Sequence, residues 1–228
     1  MEWDQIANKV APYIVKIETP ECSGTGFLCF YNNDKTICGV ATALHVVSRA
    51  DEWQQPIKIN HIHSGKKSFL RETNRYIYVN LVTDSAVILF HVGDLPLPSN
   101  LIPLLPVDTP ITIGNEVGWF GFPRIEPFTL CFFSGNISAY RADRRAYLID
   151  GVAINGVSGG PVVYSTGTVG VQVVGIVSEY IANRLGTDAL PGLCIAQDVS
   201  FFHDVIQYEH SLEDAKKKEN QVVQIPEE

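Results

Sequence analysis

The sequence has few positive charges and no apolar segment long enough to span a membrane. It contains 17 Lys and Arg residues against 25 Asp and Glu residues, which gives a formal net charge of −8 at pH 7. The only short basic run, Lys216-Lys217-Lys218, lies in a segment of mixed charge. We therefore expect neither nucleic-acid nor membrane partners. Nothing in the composition indicates an oligomeric state.

Cysteine is also sparse, and its spacing matches no zinc site. The five cysteines are Cys22, Cys29, Cys38, Cys131 and Cys194. We expect reduced, mostly buried thiols, no disulfide framework, no metal and no cofactor. The start of the chain, MEWDQIANKV, lacks the basic and apolar regions of a secretory signal. Together these absences predict an intracellular, cytoplasmic protein.

Short β-rich runs recur along the chain in two series, separated by a stretch over 95–110 that contains five of the 13 prolines. Because proline removes a ladder donor, this stretch is expected to be an ordered linker rather than a central strand. Helical spacing is clear only near the C terminus, with Ser200 as a possible N-cap. The patterns predict a β-barrel over 1–95, a linker over 96–110, a second barrel over 111–198, a helix over 199–215 and a disordered tail over 216–228.

Three short segments carry side chains suited to acyl transfer. The sequence predicts that His45 lies at the end of a small-residue β run and that Asp84 begins a buried apolar strand, and Ser158 stands among glycines in NGVSGGPV. Each alone is more often structural, as a core histidine, a turn aspartate or a loop serine. Together they supply a nucleophile, a general base and a carboxylate that orients the base.

The order of these residues along the chain separates the candidate folds. The motif around Ser158 also fits the nucleophile elbow of α/β-hydrolases, but those enzymes run Ser, acid, His and place a helix after the serine. Here Pro161 and two valines follow, and the order is His45, Asp84, Ser158. The α/β-hydrolase and subtilisin orders are therefore rejected.

The chain resembles the chymotrypsin-fold (trypsin-like) serine proteases, most closely the Deg-type branch without its C-terminal peptide-binding domain. The segments that carry the resemblance occur in the family's order: GTGFLC (24–29), TALHVV (42–47), DSAVILF (84–90), VGWFGFP (117–123), NGVSGGPVV (155–163), VGIVSEY (174–180) and GLCIAQDVSFF (192–202). The resemblance implies an all-β fold of two antiparallel six-stranded barrels with the site between them. It also implies a serine endopeptidase that acts on protein or peptide substrates.

The resemblance assigns roles to individual residues. His45, Asp84 and Ser158 would form the catalytic triad, and the N–H groups of Gly156 and Ser158 the oxyanion hole. The other expected substrate-binding residues are Val152, Asn155, Ser178, Glu179, Tyr180, Leu193 and Cys194. Val152 would form the base of the primary specificity pocket, which implies cleavage after small or medium apolar residues.

Two departures from secreted members of the family bear on activation. Val157 stands where digestive members have the Asp that pairs with a newly formed N-terminal ammonium group. Val46 follows His45, so the disulfide that brackets the catalytic His in secreted members is missing. Activation by that ion pair is therefore not expected. The alternative function is a latent or catalytically silent module that binds an extended peptide or a partner protein.

Overall fold

The computed structural model describes residues 2–166, 170–185 and 188–222, which form two antiparallel β-sheets and three α-helices. The helices are α1 (Trp3–Val10), α2 (Leu44–Glu52) and α3 (Ser200–Val222). The strands of the first sheet are β1 (Ile14–Glu18), β2 (Ser23–Tyr31), β3 (Ile37–Ala43), β4 (Ile57–His61), β5 (Lys66–Leu70), β6 (Arg75–Asn80) and β7 (Ser85–His91). Those of the second are β8 (Glu116–Gly121), β9 (Cys131–Arg141), β10 (Ala146–Asp150), β11 (Pro161–Thr166), β12 (Gly170–Leu185) and β13 (Asp188–Asp198).

The second sheet is a closed barrel in the order β10-β13-β12-β11-β8-β9. Its strands contribute Trp119, Tyr147 and a set of fully buried valines to the core. The all-β architecture with a C-terminal helix, predicted from the sequence, is confirmed.

The first sheet differs from the closed six-stranded barrel expected over 1–95. It has seven strands in the open order β5-β4-β1-β2-β3-β7-β6, so the two end strands, β5 and β6, do not pair with each other. The Arg75 side chain bridges this gap by donating hydrogen bonds to the carbonyl oxygens of Leu70 (3.0 Å) and Gln55 (2.8 Å). A guanidinium thus takes the place of a backbone ladder at this position.

The proline-rich linker is ordered along the second barrel. The N–H of Leu105 donates to the carbonyl oxygen of Val173 (2.7 Å), and the N–H of Val173 donates to that of Pro103 (2.9 Å). Ile102 and Leu105 bury their side chains in the core. The linker therefore acts as an added, irregular edge on β12.

Helix α3 lies against the first sheet and runs further than the predicted end at residue 215. The Phe202 ring meets Phe27 edge-on at 6.1 Å, and Tyr208 meets Tyr78 at 5.9 Å. The disordered tail predicted over 216–228 is wrong for 216–222, which continue the helix; 223–228 fall outside the described residues. Within the described part of the chain, no helix combines the length and apolar character needed to cross a bilayer.

Candidate active site

Ser158 lies on the loop between β10 and β11, whose path requires glycine at two positions. Gly156 and Gly159 have φ values of +97° and +82°, which side-chain-bearing residues rarely adopt. A Cβ at Gly156 would overlap the carbonyl oxygen of Phe122, and one at Gly159 would overlap that of Thr25. The glycines around Ser158 therefore allow a turn that also packs closely against neighbouring backbone.

The peptide bond between Asn155 and Gly156 is fixed in one orientation. Its carbonyl oxygen accepts a hydrogen bond of 2.6 Å from the N–H of Arg124. Because C=O and N–H point in opposite directions in a trans peptide, the N–H of Gly156 is directed away from Arg124. No acceptor for this N–H is found among the described residues.

The peptide bond between Val157 and Ser158 is oriented in the same manner. The carbonyl oxygen of Val157 accepts a hydrogen bond of 2.9 Å from the N–H of Gly160, and the Val157 side chain is buried beside Gly121. In the described structure the N–H of Ser158 also lacks an acceptor. The two donors assigned to the oxyanion hole are thus both available to a ligand.

Thr25 fixes this loop from the first sheet and was missed by the sequence analysis. It is completely buried; its N–H donates to the carbonyl oxygen of Ser158 (2.8 Å) and its hydroxyl to that of Gly156 (2.9 Å). The hydroxyl also accepts a hydrogen bond of 3.0 Å from the N–H of Phe122. The only sequence signal was the position of Thr25 between two glycines in GTGFLC.

The sequence suggested that His45 lies at the end of a β run, but the structure places it on a helix. Strand β3 ends at Ala43, and His45 is the second residue of α2. The helix starts here because Asp84 satisfies its first donors: the Asp84 carbonyl accepts from the N–H of Leu44 (2.9 Å), and Asp84 Oδ1 accepts from the N–H of His45 (3.0 Å).

The Asp84 carboxylate joins His45 to Ser178. The Nδ1 of His45 lies 2.7 Å from Asp84 Oδ2, and the Ser178 hydroxyl donates to the same oxygen at 2.6 Å. Burial of Asp84 opposes its ionisation, but the hydrogen bonds from His45 and Ser178 outweigh this effect and lower the pKa of its carboxyl. The carboxylate is thus ionised and holds the proton of His45 on Nδ1.

The contact with Asp84 raises the pKa of the His45 imidazole above its ordinary value. The main cause is the hydrogen bond to Asp84; burial opposes it, and the negative charges of Asp84 and Glu179 add to it. His45 is therefore a stronger base than a solvent-exposed histidine.

Ser158 and His45 line the same two clefts, but no hydrogen bond joins their side chains in the described structure. The first cleft, of about 380 Å³, is named here the Arg124 cleft after one of its lining residues. The second, of about 480 Å³, is named the Glu179 cleft. His45, Asn155 and Ser158 belong to both, so the clefts meet at the predicted nucleophile and base.

Three of the expected substrate-binding residues lie outside these clefts. Val152 was predicted to form the base of the specificity pocket, but its side chain is 56% exposed and lines neither cleft. Its carbonyl oxygen accepts a hydrogen bond of 3.2 Å from the indole N–H of Trp119, which fixes the backbone at this position. Leu193 and Cys194 pair with β12 but do not line the clefts, and the Cys194 thiol is fully buried. Ala153 and Ile154 line the Glu179 cleft instead.

Ser178, Glu179 and Tyr180 lie where the edge of β12 becomes open. Pairing of β12 with β11 ends at Ile176, whereas pairing with β13 continues beyond it. In the described part of the barrel, one side of residues 178–180 is therefore free to accept another strand, and all three residues line the Glu179 cleft.

Comparison with known proteins agrees with this architecture. The family model described as a trypsin-like peptidase domain matches residues 24–176. The serine endoprotease from Yersinia pestis superposes with a TM-score of 0.65 at 21% identity, over 92% of this chain and 67% of that chain. Deg5 superposes with a TM-score of 0.66 at 18% identity, over 90% of this chain and 94% of that chain. No curated protein sequence matches significantly.

The chain belongs to the trypsin-like peptidase family, since the family model covers most of the sequence and includes all three segments that carry His45, Asp84 and Ser158. The fold is the chymotrypsin-like fold of the Deg-type proteases. The resemblance seen in the sequence is thereby confirmed.

Proposed function

We propose that the protein is a serine endopeptidase. Ser158 Oγ attacks the carbonyl carbon of the scissile peptide bond, and His45 Nε2 takes the hydroxyl proton. His45 then gives this proton to the leaving amine, and a water molecule hydrolyses the acyl-enzyme in a second round of the same steps. Asp84 keeps the imidazole in the tautomer that has Nε2 free to act as base.

The observation that supports turnover most strongly is the orientation of the loop around Ser158. The carbonyl oxygens of Asn155 and Val157 are bonded to Arg124 and Gly160, so the N–H groups of Gly156 and Ser158 lie on the other side of their peptides. Two preoriented donors stabilise the negative charge that develops on the substrate oxygen, and loss of one costs about two to three orders of magnitude in rate.

Hydrolysis of an internally quenched peptide by the purified chain tests the proposal. Ser158→Ala is expected to abolish cleavage without unfolding the protein, because it removes the nucleophile alone. Ser211→Ala is the matched control, since Ser211 is an exposed serine on α3 whose hydroxyl, among the described residues, bonds only to the carbonyl oxygen of Gln207. Peptidase activity that survives in Ser158→Ala would overturn the assignment.

Asp84 is expected to be nearly as important as His45. Asp84→Asn should reduce kcat by about 10⁴-fold, because an amide favours the wrong tautomer of the imidazole. Ser178→Ala should cost less, since it removes one of the hydrogen bonds to Asp84 and leaves the charge in place. Equal losses in the two variants would show that the charge of Asp84 is not what matters.

The lining of the Glu179 cleft supports cleavage after small or medium apolar residues. Ala153, Ile154 and Val177 provide apolar surface beside Ser158, in place of the expected Val152. An apolar side chain gains about 0.8 kcal/mol per buried methylene, whereas an unpaired cation in such a pocket loses its hydration. A peptide-library cleavage profile tests this preference, and strong selection of Arg at the cleavage site would contradict it.

One observation favours a second candidate function. The side chains of Ser158 and His45 form no hydrogen bond with each other in the described structure, which fits a module that binds an extended peptide at the open edge of β12 without cleaving it. Such hydrogen bonds are often long in free enzymes and tighten when substrate binds. Peptide binding by a chain that cleaves none of the bound peptides would support this alternative.

A further inference from the structure

The two clefts can be assigned to the two sides of the scissile bond. An extended peptide that adds to the open edge of β12 lies in the Glu179 cleft, beside Ser178 and Tyr180. The apolar surface proposed to take the residue before the scissile bond, formed by Ala153, Ile154 and Val177, lines the Glu179 cleft. If Ser158 attacks this peptide, the residues before the scissile bond therefore occupy the Glu179 cleft, and those after it occupy the Arg124 cleft. This assignment rests on the function proposed above.

The acidic groups of the Arg124 cleft are already neutralised by other side chains. The two carboxylates of Glu18 and Glu21 line this cleft. Glu18 accepts from the ammonium groups of Lys16 (3.0 Å) and Lys58 (2.7 Å), and Glu21 pairs with Arg49 at 2.6 Å. Because both carboxylates are already paired with cations, we expect them to interact only weakly with charged groups of a substrate.

Apart from His45, Arg124 is the remaining residue in the described lining of that cleft that can carry charge at neutral pH. Its side chain is exposed and pairs with no described carboxylate. Its backbone N–H bonds to Asn155, which places the residue directly beside the loop of Ser158. Cys22 also lines this cleft. Burial raises the pKa of the Cys22 thiol, and the positive charge of Arg124 opposes this rise. The side of the leaving group therefore presents a cation.

Glu179 places a negative charge in the other cleft, on the side of the residues before the scissile bond. Apart from His45, it is the one ionisable residue among the described lining of the Glu179 cleft that can carry charge at neutral pH. It is exposed and pairs with no described Lys or Arg. The hydrogen bond to Asp84 is the main cause of the raised pKa of His45, and the negative charge of Glu179 acts in the same direction.

Strand geometry indicates which substrate residue would meet Glu179. Side chains of an extended peptide alternate between its two faces. The residue before the scissile bond enters the apolar surface beside Ser158, so the second residue before the bond faces the other way, toward His45 and Glu179.

We propose that the site selects peptides by a pair of opposite charges across the scissile bond. The preferred substrate has Lys or Arg as the second residue before the bond, and Asp or Glu within the two residues after it. Glu179 and Arg124 determine this preference. Neither takes part in the bond-breaking steps.

Four peptides that differ only in these charges test the proposal. Each has Lys or Glu at the second position before one Ala–Ser bond, and Asp or Lys at the second position after it. The Lys/Asp peptide should be bound and cleaved best and the Glu/Lys peptide worst. Each mismatch should cost about two- to five-fold in kcat/KM, as for solvent-exposed ion pairs. The difference should shrink between 0.1 M and 1 M salt, because the Debye length falls from about 10 Å to about 3 Å.

Charge-reversal variants identify the residues responsible. Glu179→Lys should reverse only the preference for Lys over Glu before the bond. Arg124→Glu should reverse only the preference for Asp over Lys after the bond. The double variant should therefore favour the Glu/Lys peptide. Glu72→Gln and Arg144→Gln, two exposed residues outside both clefts, are the matched controls and should keep the wild-type order. An order that does not change in Glu179→Lys and Arg124→Glu overturns the proposal.

The affinities of the same four peptides for Ser158→Ala separate this proposal from the proposed function. If the affinities follow the predicted order, the charge selection stands even where no peptide is cleaved by the wild-type chain, and only the peptidase assignment fails. If the four affinities are equal, or if no peptide binds, the charge selection is wrong whether or not the chain is a peptidase.

Discussion

The hydroxyl of Thr25 on the first sheet donates a hydrogen bond of 2.9 Å to the carbonyl oxygen of Gly156 in the second barrel. This bond turns the Gly156 carbonyl away from the cleft and joins the two β-sheets at the loop of Ser158. The position of Ser158 and its neighbouring N–H groups thus depends on a threonine that was not among the residues expected to form the site.

Thr25→Val should therefore lower both kcat and the free energy of unfolding. The variant keeps the shape of the side chain but leaves the buried carbonyl of Gly156 and the N–H of Phe122 without a partner, at about 1–3 kcal/mol of unfolding free energy for each group. Release of the loop should lower kcat by about 10²-fold, as for a displacement of about 1 Å at a reacting group. Measurement of kcat and of thermal unfolding on the same preparation separates the two effects.

Thr25→Ser is the matched control for this prediction. Serine retains the hydroxyl, and the variant should recover most of the wild-type kcat even if it loses some stability with the methyl group. If Thr25→Val has the kcat of the wild type, Thr25 is only a packing residue.

The pH dependence of kcat/KM should reflect the environment of His45. Only the neutral imidazole can take the Ser158 proton, so kcat/KM should rise as pH increases through the pKa of His45, which lies above its ordinary value of 6.5. Glu179→Gln removes one of the charges that raise this pKa, and should move the acid limb of the profile to lower pH. A limb centred below 6.5 in the wild type would contradict the interaction between His45 and Asp84.

The stability of the fold at acid pH should depend on Glu18. Burial opposes its ionisation, but hydrogen bonds from Lys58, Lys16 and Asn60 lower its pKa from 4.5 to about 2. The ionised form is thus favoured in the folded state, so its contribution is fully present above about pH 4.5 and is lost as pH falls toward 2.

Comparison of Glu18→Gln with the wild type isolates this contribution. Asp84, whose pKa is also lowered, acts in the same direction but is unchanged in both proteins. The free energy of unfolding can be measured by urea titration at pH values between about 5 and about 2, the range over which Glu18 becomes protonated. It should fall less steeply with decreasing pH in Glu18→Gln than in the wild type. Glu21→Gln leaves the contacts of Glu18 intact and should keep the wild-type slope; equal slopes in all three proteins would exclude the role of Glu18.

The cysteines should fall into two groups of reactivity. All five are free thiols; Cys22 and Cys131 are partly exposed, whereas Cys29, Cys38 and Cys194 are buried. Burial raises the pKa of Cys38 and Cys194 to about 12, which suppresses the reactive thiolate. Alkylation should modify the two partly exposed thiols in the native protein and all five after denaturation without reductant. A count of three or one under denaturing conditions would reveal disulfides.

The sequence predicted the architecture well where local pattern and chain order were informative. Short β-rich runs, with a proline-rich stretch between the two series, indicated two β units, and the order of His45, Asp84 and Ser158 argued against the α/β-hydrolase and subtilisin orders. The structure brings His45 to Asp84, because the turn before β7 and the start of α2 satisfy each other's backbone groups. That mutual capping could not be read from either segment alone.

Other features depend on contacts between residues distant in sequence, which a single sequence does not display. The family resemblance placed Val152 at the base of the specificity pocket, but the indole of Trp119 fixes its carbonyl and its side chain is 56% exposed. Helix α2 is short, and its start depends on Asp84 rather than on a local N-cap. The role of Thr25 was missed because the partners of its hydroxyl lie more than ninety positions away in the sequence.

Whether Ser158 is an activated nucleophile is measured most directly by the reaction of the folded chain with a fluorophosphonate, followed by intact mass and peptide mapping. We predict one adduct per chain, on Ser158. The adduct should be absent from Ser158→Ala, form far more slowly in His45→Ala and Asp84→Asn, and form at the wild-type rate in Ser211→Ala. An adduct on a different serine, or no adduct on a chain shown to be folded, would contradict the assignment of Ser158 as an activated nucleophile.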